Sequence, residues 1–72
     1  MEIFHHYYVN DDPQVVSGEH EVHRNICLSL AFARSKTYLG FYADCQKALE
    51  KAGTIYKKVT RCSFCCQENS QP

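Results

Sequence analysis

Two short-range pairs of soft metal-binding side chains constrain this chain more than anything else in it: His23 with Cys27, and Cys62 with Cys65. A Cys-x2-Cys turn brings two thiolates close enough to share one tetrahedral ion about 2.3 Å from each sulfur. A His-x3-Cys pair supplies two further ligands, across a tight turn at a strand end or from one face of a helical turn. Together they form a Cys3His set, the composition of closed, four-coordinate structural zinc sites. Zinc is the expected ion, and iron is the alternative that thiolate-rich tetrahedral sites also accept. Nearly the whole sheet and helix expected below lie between the two pairs, so closing the site ties the middle of the chain to its end.

Such a tie matters at this size. With 72 residues the chain has room for one domain, near the lower limit at which an apolar core holds a fold alone. Small domains commonly add a metal, disulfides or a partner subunit. Five cysteines and four histidines point to such a supplement. The N-terminus (Met-Glu-Ile-Phe-His-His-Tyr-Tyr-Val) lacks the basic start and apolar run of a secretory signal. No stretch reaches the ~20 apolar residues that span a bilayer. A cytoplasmic location is therefore expected, where thiols stay reduced and serve as ligands, catalysts or buried fillers rather than disulfides. Formal net charge is zero, which is not the electrostatic footprint of a dedicated nucleic-acid binder.

Along the chain, Phe4 to Val9 carries the aromatic and β-branched residues of a strand, and Asn10-Asp11-Asp12-Pro13 reads as a turn. Gln14 to His23 is a second extended stretch interrupted at Ser17-Gly18. Alternation there puts Glu21 and His23 on one face, His20 and Val22 on the other. Arg24 to Ser35 reads as a loop with one helical turn. Thr37 to Tyr42 is a third strand, with Gly40 at a bulge or close approach. Phe41, Cys45, Ala48, Leu49, Ala52 and Tyr56 follow the spacing of one helical face, predicting a helix over 43–52 that Gly53 stops in a left-handed conformation. Ile55 to Val59 is a short extended piece before the cysteine turn. The expected architecture is α+β: a small antiparallel three-stranded sheet, one helix packed on it, and a zinc knuckle closing it. Residues 1–67 form the single zinc-binding domain and 68–72 a flexible tail.

Several residues compete for the site. Cys66 adjoins Cys65 and is a rival fourth ligand, with Cys-x2-Cys the more frequent spacing. His20 is a rival to His23, but strand alternation turns the two apart. Cys45 falls on the apolar stripe of the helix, where a free cysteine acts as a small hydrophobe. His5 and His6 give no ligand spacing to anything nearby. His20-Glu21-Val22-His23 lacks the His-Glu-x-x-His spacing of a zinc protease. Three scattered glycines give no phosphate cradle, and no residue pattern marks a catalytic site, so no small-molecule substrate is inferred.

The run Gly18-Glu19-His20-Glu21-Val22-His23, with Cys27, Tyr38-Leu39-Gly40, Cys45, Ala48, Ala52, Cys62 and Cys65-Cys66, resembles a family of small bacterial proteins of uncharacterised function. Tyr7-Tyr8-Val9-Asn10 belongs to the same pattern, so the resemblance spans most of the chain. More distantly, the arrangement is similar to the Ada-type metal-binding domain of DNA-alkylation repair, which implies zinc at His23, Cys27, Cys62 and Cys65. That domain uses cysteine ligands throughout for methyl transfer and meets DNA through a basic surface. This chain has histidine at one ligand position and no net charge, which puts both properties in doubt.

The function expected is a small non-enzymatic zinc-binding module with a protein partner or, as second choice, nucleic acid, and no membrane association. The alternative is a thiol-redox or metal-sensing protein that works through Cys62, Cys65 and Cys66.

Overall fold

In the computed structural model, which describes residues 3–66, four strands and two helices follow in the order β1 (His5–Asn10), β2 (His20–Arg24), α1 (Leu28–Ala31), β3 (Lys36–Tyr42), α2 (Cys45–Ala52) and β4 (Val59–Arg61). The expected tail at 68–72 lies outside the described residues.

The fold is α+β, but the sheet is four-stranded and mixed, in the order β3-β1-β2-β4, where a three-stranded antiparallel sheet with one helix was expected. β1 pairs antiparallel with both β2 and β3. β4 pairs parallel with β2, setting Val22 against Arg61. Three residues are too few for alternation to show a strand. The parallel pairing becomes possible because β3 and α2 together form a long enough crossover. The second helix is α1, the single turn expected within 24–35.

Side-chain alternation divides the sheet into two faces. Tyr7, Val9 and Val22 are fully buried with Leu39 on the side that packs against Cys45, Ala48 and Ala52 of α2. Asp44 starts that helix by accepting a hydrogen bond from the Lys47 backbone N–H at 3.0 Å. The helix therefore begins after Phe41, which belongs to β3, is largely exposed and stacks on Phe4 at 5.4 Å between ring centres. Its place on the expected helical stripe was a coincidence of spacing across the cap. Gly53 also departs from expectation, with φ −65° and ψ −17° in the right-handed region. The terminal carbonyls are met instead by continuing turns: Tyr56 N–H donates to the Ala52 carbonyl at 2.9 Å, and the Thr54 hydroxyl donates to the Lys51 carbonyl.

The turn after β1 is fastened by Asp11, whose carboxylate accepts hydrogen bonds from Ser35, Thr37 and Tyr56. Those bonds hold its pKa below the ordinary aspartate value. His20 stacks on Tyr56 with ring centres 3.7 Å apart, and its Nδ1 lies 3.0 Å from the Asn10 carbonyl. These contacts join the start of β2 to the chain beyond α2.

Gly40 is both of the things its position suggested. Tyr7 faces Gly40 while Tyr8 faces Tyr38, so Leu39 is the extra residue of a bulge. Gly40 has φ +134°, and a Cβ there would lie 2.8 Å from the Tyr42 hydroxyl oxygen. That hydroxyl donates to the Leu39 carbonyl at 2.8 Å, so the ring is not free to step aside at no cost. Gly40→Ala is expected to destabilise the fold by about 1–3 kcal/mol, read as a lower urea midpoint. An unchanged midpoint would show that the bulge tolerates a side chain.

Candidate metal centre

The parallel pairing of β4 with β2 places the ends of both strands side by side. His23 is the penultimate residue of β2, and Cys27 precedes α1 as its N-cap. Cys62 directly follows β4, and its backbone N–H continues the ladder by donating to the Val22 carbonyl at 3.0 Å. A turn over 62–66, closed by the Cys66 N–H on the Cys62 carbonyl at 3.1 Å, brings Cys65 back towards β2. The Arg24 backbone N–H then donates to Cys65 Sγ at 3.3 Å, as such groups do towards thiolate ligands.

One ligand atom from each of His23, Cys27, Cys62 and Cys65 lies within 4.8 Å of the other three, close enough to hold a metal ion. His23, Cys27 and Cys62 are buried, with 1%, 8% and 1% of their surface exposed, and Cys65 is half-buried. Cys27 Sγ and Cys62 Sγ are 3.8 Å apart. That is the edge, about 3.8 Å, of a tetrahedron with metal–sulfur bonds of 2.3 Å. Cys65 Sγ is 3.9 Å from His23 Nδ1. Both spacings fit a four-coordinate ion among soft donors.

The rivals are placed elsewhere. His20 turns away to Tyr56 and Asn10. Cys66 is fully buried and bonded to Cys45 in a disulfide with Cα atoms 5.7 Å apart. Cys45 does sit on the buried stripe of α2, but as half of this cross-link and not as a free thiol. A link closing 21 residues contributes about 3 kcal/mol on the chain-entropy account.

Glu21 is the site residue not singled out from the sequence. Its Oε1 lies 3.4 Å from His23 Nε2, on the ring nitrogen opposite the cluster. A carboxylate there favours the tautomer with a proton on Nε2 and leaves the Nδ1 lone pair for a metal. The signal was its position two residues before His23 on the same strand face.

The titration behaviour of the cluster suits ligation. Burial lowers the His23 pKa, against a smaller raising effect of Glu21, so the imidazole stays neutral at pH values where an exposed histidine is already charged. Burial tends to raise the Cys27 thiol, but bonds from Cys65 and from the Ser29 and Leu30 backbone outweigh it and lower its pKa. Burial and the neighbouring thiols Cys27 and Cys62 push Cys65 well up. Cys27 therefore ionises more readily than Cys65.

A groove of about 590 Å³ runs past Cys27 and Cys65, lined by apolar Ile26, Leu28 and Phe64 and by polar Arg24 and Ser29. Leu28 and Phe64 are each 82% exposed and Phe32 84%. Among the described residues, no helix is long and apolar enough to cross a membrane.

No family model, curated protein or solved structure matches this chain.

One outcome follows from this geometry. Glu21→Gln is expected to weaken metal binding about 10- to 100-fold, the range typical of losing a partner behind a ligand histidine. Competition with a chromophoric chelator reads this, and unchanged affinity would remove Glu21 from the site.

Proposed function

We propose that this chain is a small, non-enzymatic zinc-binding module whose Cys3His centre is structural and whose apolar surroundings dock a protein partner. The convergence of His23, Cys27, Cys62 and Cys65 within 4.8 Å carries this reading. Four protein donors fill a tetrahedral ion, leaving no open position for water or substrate, which is how structural sites differ from catalytic ones. Three sulfurs and one imidazole favour zinc over hard cations such as magnesium or calcium. A centre of this kind contributes about 10–16 kcal/mol of apparent binding free energy at neutral pH, which in a domain this small becomes folding free energy. The free thiols of Cys27, Cys62 and Cys65 support the cytoplasm as compartment, where a cross-link such as Cys45–Cys66 is rare and usually transient.

Exposed Ile26, Leu28 and Phe64 lining the groove support a protein partner. Nucleic acid is the second choice because zero net charge gives phosphates little attraction. Lys57 and Lys58 are exposed, and the Arg61 guanidinium bonds Gln46.

Native mass spectrometry of the chain purified without chelator tests the metal reading. One zinc per chain is expected in the wild type and in Cys66→Ser. In Cys62→Ser and Cys65→Ser the zinc should disappear together with the compact charge-state distribution. A compact wild-type chain without metal would overturn the reading.

A further inference from the structure

We infer that the Cys45–Cys66 disulfide is a redox lock on the metal centre: closed, it holds the ligand turn in place, and opened by a small thiol, it lets the metal exchange. The inference rests on the metal centre proposed above and adds its regulation.

The lock acts on the ligand set through one peptide bond. Cys66 directly follows Cys65, so fixing Cys66 fixes the backbone that carries the fourth ligand. The other half of the link, Cys45, lies in the first turn of α2 behind the Asp44 cap. The disulfide therefore fastens the turn at 62–66 to the most regular element of the fold. The hydrogen bonds that also fasten this turn include Cys62 N–H to Val22, Cys66 N–H to Cys62, and Arg24 N–H to Cys65 Sγ. Ser63 and Phe64 at its tip are exposed. With the link open, the turn is held to β2 by two hydrogen bonds and by the metal. Opening also frees the Cys66 sulfur beside Cys65, one residue away from a ligand position, where it offers a competing donor.

The chemistry is ordinary thiol exchange. A small thiol attacks one sulfur of the link as its thiolate, forms a mixed disulfide and releases the other sulfur, which takes up a proton. A second small thiol resolves the mixed disulfide. The protein link gains two electrons and two protons, and two small thiols leave as one small disulfide. Cys45 and Cys66 are both buried, so attack requires the turn to lift from α2, and the bound metal opposes that motion. Linkage makes the effect mutual: if closing the link strengthens metal binding tenfold, metal binding favours the closed link tenfold. A tenfold change in a two-electron couple corresponds to about 30 mV. In a reducing compartment disulfides are commonly transient and redox-sensing, which agrees with the thiol-based sensing anticipated as an alternative. The metal centre and the cross-link divide that role between different cysteines.

Zinc release to a chromophoric chelator is measured on the full chain before and after reduction with a phosphine, with the thiol count and the mass of the loaded protein taken in both states. Release is expected to be at least about tenfold faster after reduction, the scale on which supporting contacts act on metal sites. Cys45→Ala and Cys66→Ser should release zinc at the reduced wild-type rate and no longer respond to the phosphine. The midpoint of the disulfide should lie about 30 mV lower in the zinc-loaded chain than in the metal-free one. Equal release rates with one zinc bound in both states would overturn the lock and leave the metal centre standing. A chain in which Cys45 and Cys66 count as free thiols before reduction would also overturn it. No zinc in either state would bring down the metal centre, and the lock with it.

Discussion

The parallel pairing of β4 with β2 is the contact on which the rest of the structure depends. Setting Val22 beside Arg61 fixes where both strands end, and the residues that leave those ends are His23, Cys27, Cys62 and Cys65. Parallel strands need a crossover of a dozen residues or more, and here β3 and α2 fill it. The same crossover supplies the helix that buries the inner face of the sheet and carries Cys45. One pairing of three residues therefore decides the mixed sheet, the convergence of the donors and the reach of the cross-link.

Three residues of backbone ladder are a weak basis for so much. The start of the pairing is supported by the His20–Tyr56 stack and by the Tyr56 hydroxyl on Asp11. Its end is supported by the cluster and the disulfide. The pair is thus clamped at both ends by side chains, and the backbone between has only to keep register. The two end clamps differ in kind. One is a set of aromatic and hydrogen-bonded contacts, while the other is a group of soft donors beside a covalent cross-link.

Much of the centre was legible in the sequence because its pairs are local. His23 with Cys27 and Cys62 with Cys65 are each close enough in the chain for spacing alone to suggest shared ligation, and the four come together as anticipated. Glu21 was legible in principle, since it shares a strand face with His23. What spacing could not show is contact across the chain. Cys45 and Cys66 are separated by 21 residues and carry no local pattern that distinguishes a cross-link from a buried thiol. The α2 stripe showed the helix but not its start, because the periodicity continued back through Asp44 to Phe41. β4 was too short to alternate, and Gly53 turned right-handed because neighbouring bonds already satisfied the helix end.

The bulge in β3 also bears on how copies of this chain meet. β3 is an outer strand of the sheet, and a long flat outer strand offers its unpaired backbone to any other extended chain. With Leu39 drawn into the core and Gly40 at φ +134°, that border is broken into two short runs, 36–38 and 40–42. Neither is long enough to template a continuous ladder with a neighbour, and Lys36 places a charge at one end. The irregularity that fits Leu39 into the interior thus protects the sheet from growing sideways into an aggregate.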